Sequence, residues 1–472
     1  MGQFMTPPPV ARLMASMLTT AHEDVRLLDA GAGVGSLTAA AIAHYLGSDT
    51  PPTRIEVVAY EIDPILVEYL ARTLELCEVA CAAAGIAFEA RVEAQDFLAD
   101  AAQRNFSLAD KAYFNCAIQN PPYRKIGTDS VEREVCRTMG VQATNLYAAF
   151  LGATIHLLEE DAELVAITPR SFANGPYFKQ FRRFLLAQIT LRRLHVFDSR
   201  SHAFRGDAVL QENVILAATK SAHTPATVEI TASETAEHAI RSRKVPWSHV
   251  VYEHDREQFI HLIDSEEGDE VARQVARFDN YLHDLGISVS TGPVVDFRAT
   301  EFLRTSSEEG TVRLLYPAHL NGGTVHWPHK RAKWNAFALT EESFGQTVPR
   351  GDYVLVKRFT AKEERRRMVA AVYEGDSMGP GRVAFENHLN YFHEKGEGLP
   401  LDLARGLAIY LNSTLVDVYF RQFSGHTQVN ATDLRNIPYP ARNRLEAAGA
   451  AMGTAALAQE EVDSAVERYL LT

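Results

Sequence analysis

The chain has 472 residues, 46% hydrophobic and 23% charged, a composition typical of a globular protein with two or three domains. No apolar segment reaches the length of a membrane helix, and four cysteines are too few for a disulfide framework. These features predict a cytoplasmic protein without membrane association. The net charge of −13 argues mildly against nucleic acid, although residues 176–206 and 329–369 form basic islands of +6 and +5.

The first half of the chain predicts strands that alternate with helices. Short apolar runs predict strands at 25–29, 55–60, 88–92, 113–118, 163–168, 196–197 and 213–218. Helices are expected after the glycine turn that ends at Gly35, from Pro64 to about Ala84, and over 146–158. This alternation predicts an α/β fold with a doubly wound, mostly parallel sheet.

The second half has a mixed α+β pattern. The segment 221–239 is rich in Thr, Ser, Ala and Glu and is interpreted as the passage to a second region. We therefore expect domains at 1–240 and 241–472, with helices over 401–420 and most of 441–471. The pair Cys77 and Cys81 lacks further ligands at metal-binding spacing, so no metal is expected.

Polar side chains follow four of the predicted strands. Asp29, Glu61, Asp96 and Asn120 each stand at or just past a strand's carboxyl end. In open parallel sheets ligands bind beyond these ends. The sequence therefore predicts that the four side chains meet at one edge of the sheet.

The segment from Asp29 to Gly35 is rich in glycine but does not match a dinucleotide fingerprint, because Ser36 stands where a third spaced glycine belongs. An acid before the glycine turn repels a pyrophosphate and suits a positively charged ligand. Glu61 is placed to accept ribose hydroxyls. Asp96 and Phe97 offer an acceptor and a ring face to a purine. Together these residues favour S-adenosylmethionine over NAD or ATP.

The motifs resemble the gamma class of amino-methyltransferases that modify adenine in DNA, closest to TaqI-like and PstI/BsuBI-like modification enzymes. The matching stretches are FMTPPPVARLM, LLDAGAGVGSL, VVAYEIDP, AQDFL, NPPY and TNLYAAFL. The resemblance implies a class I S-adenosylmethionine-dependent fold and a C-terminal target-recognition region. Ala30 and Ala32 depart from it, since the family often has an aromatic residue there. The implied cofactor-binding residues are Thr6, Pro7, Asp29, Gly31, Gly33, Gly35, Glu61, Ile62, Asp96, Phe97, Asn120 and Pro122.

The tetrapeptide Asn120-Pro121-Pro122-Tyr123 is the implied catalytic motif. The adenine N6 lone pair is delocalised, so two acceptors on its N–H bonds favour the geometry that attacks a methyl group. The Asn120 side-chain oxygen and the Pro121 carbonyl suit this task, and two prolines fix the backbone in advance. Tyr123 offers a stacking face to a flipped base, and the resemblance places Phe204 on its other face.

The two basic islands are then expected to bind DNA phosphates, and the second island lies within the target-recognition region. The candidate backbone contacts are Arg182, Arg183, Arg192, Arg193, Lys330, Arg331, Lys357 and Arg358. Expected partners are double-stranded DNA and a separate restriction endonuclease, with the enzyme acting as a monomer.

Other functions remain open at this point. NPPY also occurs in methyltransferases for RNA adenine and for a glutamine side chain in release factors. The glutamine enzymes are usually short, whereas more than two hundred residues follow the predicted fold here. A non-catalytic binding subunit is disfavoured by the intact acids and NPPY, and no convincing nuclease motif indicates a fused endonuclease.

Overall fold

The computed structural model describes residues 5–19, 22–106, 113–197, 212–253, 255–360, 364–375, 381–424, 427–453 and 458–472. The chain divides into two compact units, Met1–Ser265 and Glu266–Thr472. The first unit extends past the expected boundary at 240 because a strand over Arg241–Pro246 pairs with its sheet.

The first unit is built on a nine-stranded sheet. Its strands are β1 (Asp24–Ala30), β2 (Arg54–Tyr60), β3 (Ala87–Glu93), β4 (Phe114–Gln119), β5 (Leu158–Pro169), β6 (Ile189–Phe197), β7 (Asn213–Lys220), β8 (Thr227–Ser233) and β9 (Arg241–Pro246). The spatial order is β3-β2-β1-β4-β5-β7-β6-β8-β9, and β1 to β5 run parallel. The prediction of a doubly wound, mostly parallel sheet is confirmed.

The helices of the first unit lie between these strands in the chain. They are α1 (Pro8–Ala15), α2 (Ser36–Leu46), α3 (Pro64–Ala83), α4 (Phe97–Phe106), α5 (Val131–Thr138), α6 (Leu146–Leu157), α7 (Lys179–Gln188) and the short α8 (Trp247–Val250). Asp63 caps α3 by accepting the backbone N–H of Ile65 at 2.9 Å, and Pro64 takes the first helical position. Cys77 and Cys81 are buried in the core as packing residues.

The interpretation of 221–239 as a linking passage is wrong, because β8 lies inside it. Val228, Ile230 and Ala232 alternate with more polar residues and are buried against the sheet. The alternation in 227–233 was a strand signal, and the Thr, Ser, Ala and Glu content of the whole segment was given more weight than this signal. Strand β6 is also longer than the predicted 196–197: its first residues, ITL, alternate, and an irregularity in the pairing between Leu191 and Arg193 accommodates the adjacent pair Arg192 and Arg193.

The second unit contains two further sheets. The strands are β10 (Ser288–Thr291), β11 (Leu303–Arg304), β12 (Thr311–Leu315), β13 (Leu320–Asn321), β14 (Thr324–Val325), β15 (Ala336–Ala338), β16 (Val348–Pro349), β17 (Tyr353–Lys357), β18 (Ala370–Tyr373), β19 (Arg382–Phe385) and β20 (Leu389–His393). A six-stranded sheet has the order β10-β20-β17-β18-β14-β13, and a five-stranded sheet has the order β11-β15-β12-β19-β16.

The helices of the second unit are α9 (Glu266–Val275), α10 (Leu401–Leu411), α11 (Thr414–Phe423), α12 (Ala431–Arg435), α13 (Arg442–Met452) and α14 (Gln459–Ala465), followed by a π-helical turn, Val466–Leu470. The expectation of one helix over 401–420 is wrong, because α10 ends at Leu411 with Asn412 as its C-cap, and Ser413 starts α11 by accepting the backbone N–H of Val416. The helical prediction for 441–471 is confirmed over the described residues. Within the described ranges, no helix combines the length and apolarity needed to cross a membrane.

Candidate active site

A cavity of about 280 Å³ opens at the carboxyl edge of β1, β2 and β4. Its lining includes six residues that the sequence placed in a cofactor site, Gly31, Glu61, Ile62, Asp96, Phe97 and Pro122. They come together because β1, β2, β3 and β4 are neighbouring parallel strands, so the loops after them face the same side.

The glycine loop joins β1 to α2 in a conformation that other residues rarely adopt. Gly31, Gly33 and Gly35 have φ angles of +81°, +58° and +84°. The backbone N–H groups of Gly31 and Ala32 both donate to the Tyr60 carbonyl, at 3.0 and 2.8 Å. The loop is thereby fixed against the end of β2.

Glu61 is fixed in place by backbone donors. Its Oε1 accepts the N–H groups of Ile62 and Asp63 at 2.8 and 2.9 Å, and its Oε2 accepts the Gly33 N–H at 2.9 Å. A carboxylate has about four lone-pair positions, so it retains capacity for a ligand. The side chain is buried yet lines the cavity, as a group that receives hydroxyls there should.

Asp29 lies behind the glycine loop rather than in the lining of the cavity. Its Oδ2 accepts the Thr38 hydroxyl at 2.7 Å, whereas Oδ1 has no partner among the described residues. Burial raises the pKa of the Asp29 carboxyl to about 7, and the hydrogen bonds from Thr38 oppose this rise. Such an unpartnered buried acceptor favours a positively charged donor.

Asp96 and Phe97 occupy the start of α4. Asp96 Oδ1 accepts the N–H of Ala99 at 2.8 Å, so this residue caps the helix while lining the cavity. The Phe97 ring is held between Tyr60 and Phe150, with ring centroids 5.0 and 5.1 Å away. Packing on both sides gives the apolar face a fixed position.

The NPPY tetrapeptide directly follows β4. Asn120 Nδ2 donates to the Thr6 hydroxyl at 3.0 Å, and Asn120 Oδ1 accepts the Tyr123 hydroxyl at 3.1 Å. Thr6 is buried just before α1, where Pro7 takes the N-cap position. The N-terminal segment therefore meets the tetrapeptide, as expected for a motif that shares its site.

Tyr123 is mostly buried, with a relative exposure of 8%. Its ring meets Tyr147 edge to face at 6.3 Å, and Tyr147 stacks on Phe178 at 5.4 Å. Burial raises the pKa of the Tyr123 hydroxyl, which stays protonated and donates to Asn120. Phe204, the other predicted stacking face, lies outside the described residues.

Sequence reasoning missed several residues of the cavity. Leu146 and Phe150 lie one turn apart on α6, and an apolar pair at this spacing soon after NPPY was an available signal. Arg124 and Glu132 form an ion pair of 2.8 Å in the lining, which no sequence pattern marked.

Arg182 does not serve as a DNA contact, and that prediction is wrong. The side chain is fully buried, and its Nη1 donates to the carbonyls of Phe172 and Gly175 at 3.1 and 2.9 Å. A phosphate does not reach a guanidinium enclosed in this way. The charge count could not distinguish a buried cation from an exposed one.

The other predicted phosphate contacts are more accessible. Arg183 is exposed, whereas Arg192 and Arg193 are half-buried in ion pairs with Glu163 at 3.3 Å and Glu229 at 2.6 Å. In the second unit Lys330 and Arg331 are exposed, and Lys357 and Arg358 are half-buried. These residues remain candidates of unequal accessibility.

The sheet order, the glycine loop after β1 and the acid after β2 define a class I S-adenosylmethionine-dependent methyltransferase fold. Two solved structures have a similar fold. The type IIL restriction-modification enzyme MmeI, solved in complex with DNA, matches with a TM-score of 0.56 and 12% identity over 97% of this chain and 70% of its own. The type IIG restriction endonuclease BpuSI matches with a TM-score of 0.50 and 13% identity over 95% of this chain and 61% of its own.

Sequence comparisons identify the family. The type II methyltransferase M.PstI of Providencia stuartii is 40% identical over 100% of this chain and 93% of its own, and M.BsuBI of Bacillus subtilis is 39% identical over 100% and 94%. The family model of the Eco57I restriction-modification methylase matches residues 60–204. The chain belongs to the type II DNA methyltransferases of restriction-modification systems.

Proposed function

We propose that the protein transfers a methyl group from S-adenosylmethionine to N6 of an adenine flipped out of duplex DNA. The observation that carries this proposal is the fixed amide of Asn120, held by Thr6 on one side and Tyr123 on the other. It directly follows β4, at the edge where the cavity opens.

The residues of the cavity fit S-adenosylmethionine, which supplies an electrophilic methyl group when bound. Asp29 is fully buried beside the cavity rather than in its lining, so its carboxylate favours a positively charged amino group near the glycine loop through its charge. Glu61 suits the ribose hydroxyls, while Asp96 and Phe97 suit the exocyclic amine and the ring of adenine. The acid Asp29 beside the glycine loop disfavours a pyrophosphate there, and with it NAD or ATP, because the two negative charges repel each other.

The tetrapeptide supplies acceptors to an amine. Asn120 Oδ1 and the Pro121 carbonyl receive the two N–H bonds of N6, which favours tetrahedral geometry at nitrogen and stabilises developing positive charge. Because Nδ2 of Asn120 is occupied by Thr6, its oxygen is turned away from Thr6. The two prolines fix the aim of the carbonyl before the base arrives.

Removing a base from the duplex costs a few kcal/mol, and stacking on an aromatic ring returns roughly 1–3 kcal/mol. Tyr123 and Phe204 are the proposed faces for that stacking. Duplex DNA as substrate, recognised mainly by the second unit, is supported by the family relationship and by the exposed cations Lys330 and Arg331. A cognate endonuclease that cuts the unmethylated site completes the proposed system.

The direct test incubates purified protein with labelled S-adenosylmethionine and unmethylated DNA, digests the product and identifies the nucleosides by mass spectrometry. N6-methyladenine in the wild-type reaction, absent with Asn120→Ala, is the expected result. Methylated cytosine refutes the assigned base. Label that enters only RNA or a release-factor glutamine refutes DNA as the substrate.

A further inference from the structure

A second polar surface lies within Glu266–Thr472. Its framework is continuous backbone pairing: Arg358 N–H donates to the His388 carbonyl at 2.9 Å, and Val429 N–H donates to the Arg358 carbonyl at 2.7 Å. Gly292 N–H donates to the Leu389 carbonyl at 2.8 Å. Four segments distant in the chain thus converge, 290–293, 357–360, 386–390 and 427–430.

The backbones of these segments pack unusually closely at Gly292. A Cβ atom on Gly292 would lie 2.3 Å from the Glu386 carbonyl oxygen, so only glycine fits there. Asn390 is fully buried; its Oδ1 accepts the Thr291 hydroxyl at 3.1 Å and its Nδ2 donates to the Val429 carbonyl at 2.7 Å. These contacts hold together the backbone segments that carry Arg358, Phe359 and His388.

The outer side of this surface presents an aromatic ring, a guanidinium and an imidazole. Phe359 is 43% exposed, and its ring centroid lies 4.9 Å from that of His388, whose side chain is 48% exposed. The Arg358 guanidinium lies 5.7 Å from the Phe359 ring. Thr427 is exposed beside the same pairing.

Glu386 positions His388 from below. Its carboxylate is fully buried, accepts the His388 backbone N–H at 3.0 Å and contacts Nδ1 of the same residue. A buried carboxylate paired with an exposed histidine adds little to stability, since an apolar pair of similar volume usually serves as well. The pair fixes the orientation of the His388 ring, with Nδ1 toward Glu386. Nε2 is then the other hydrogen-bonding atom of the ring.

We propose that Arg358, Phe359 and His388 contact a base of the DNA target and contribute to sequence recognition. The inference rests on the proposed function, adds Phe359 and His388, and assigns Arg358, a candidate phosphate contact from the sequence, to a base instead. A ring suits the thymine methyl or an unstacked base face, and a fixed imidazole nitrogen and a guanidinium suit hydrogen-bonding groups at base edges. Rigid support matters because base recognition fails when the reading groups move.

The test uses the full-length protein and the variants Phe359→Leu and His388→Gln, since glutamine keeps a donor for Glu386. His283→Gln is the matched control, because His283 is also exposed in the second unit but lies outside this surface. Methylation rates are measured on DNA carrying the target and on targets with single base changes, together with melting temperature and the cofactor Kd.

Both variants are expected to lower kcat/KM on the target at least tenfold and to relax discrimination at one or two base positions, with melting temperature and cofactor Kd unchanged. A loss that is equal on every sequence, with a weaker dependence on salt, overturns the base contact in favour of a phosphate contact. If both variants methylate every target like the wild-type protein, the proposed base contact is refuted while the proposed function stands. A wild-type protein that neither binds nor methylates DNA refutes the proposed function and this surface with it.

Discussion

Asn120 is fixed on both sides of its amide, by a residue of the N-terminal segment and by its own tetrapeptide. Thr6 accepts from Nδ2, and the Tyr123 hydroxyl donates to Oδ1. The orientation of the amide is thereby set before any substrate binds, which is the preorganisation that electrostatic stabilisation requires. A residue so placed is expected to affect the chemical step more than binding.

Asn120→Ala should therefore abolish methyl transfer, by at least 1,000-fold in kcat, because both the acceptor and its fixed geometry are lost. The cofactor Kd, measured by calorimetry, should change by less than threefold. Tyr123→Phe provides a graded comparison, since it keeps the ring and removes only the hydroxyl donor, with an expected loss below about tenfold. Near-normal methyl transfer by Asn120→Ala would refute the role of Asn120 as an acceptor for the amine.

Asp29 gives a prediction on pH. Burial raises the pKa of its carboxyl from 3.8 to about 7, so the fold favours the protonated form. The protonated carboxyl therefore contributes fully to the free energy of unfolding below pH 3.8, the pKa in the unfolded chain. This contribution falls as the pH rises through about 7, by on the order of 4 kcal/mol in total. Unfolding of the cofactor-free protein by urea between pH 4 and 8 should show this decline. Asp29→Asn should remove it, and an identical pH profile in that variant would contradict the assignment.

At the scale of elements, the site depends on how loops leave the sheet. Gly35 ends the glycine loop and precedes α2 with a φ of +84°, and a Cβ there would lie 3.0 Å from atoms of Leu70 and Thr73 on α3. The loop therefore needs glycine both for its backbone conformation and for the approach of α3.

Gly35→Ala should destabilise the protein by about 2–4 kcal/mol, from the backbone conformation and from overpacking together. Gly85→Ala is the matched control, because Gly85 has a φ of +74° but nothing within 4 Å of the added Cβ. It should cost about 1–2 kcal/mol. Denaturant unfolding measures both. Equal costs would show that the contact with α3 does not constrain the loop.

The sequence was informative about elements where periodicity and caps were strong. Strands β1, β2 and β4 were buried apolar runs that ended in polar residues, and their parallel order brought Glu61 and Pro122 to one cavity. It was ambiguous where tertiary contacts decide the outcome, as for β8, whose alternating run is short and lies in a polar segment, and which is stabilised by pairing with β6 and β9. The burial of Arg182 likewise depends on a distant carbonyl, that of Glu257.

At the scale of the whole molecule, an acidic chain that acts on DNA must rely on local cations. The net charge of −13 opposes nonspecific binding, so the exposed Lys330 and Arg331 should contribute strongly to affinity. The double variant Lys330→Ala/Arg331→Ala should weaken DNA binding and lower the slope of log K against log salt by about 1.8. Arg91→Ala, an exposed cation paired with Glu93 at 2.8 Å, should leave both unchanged. Fluorescence anisotropy at several salt concentrations measures the effect, and an unaltered slope would rule out these phosphate contacts.

The family relationship, the cavity and NPPY together make one claim about the whole protein, that it methylates adenine at a defined DNA sequence. The most direct measurement expresses the gene in a host without DNA methylation and sequences the genome for modified bases, with Asn120→Ala as the control. We expect N6-methyladenine at one short motif throughout the genome, present only with the wild-type protein. A genome without methylated adenine, from cells that contain the folded wild-type protein, would contradict it.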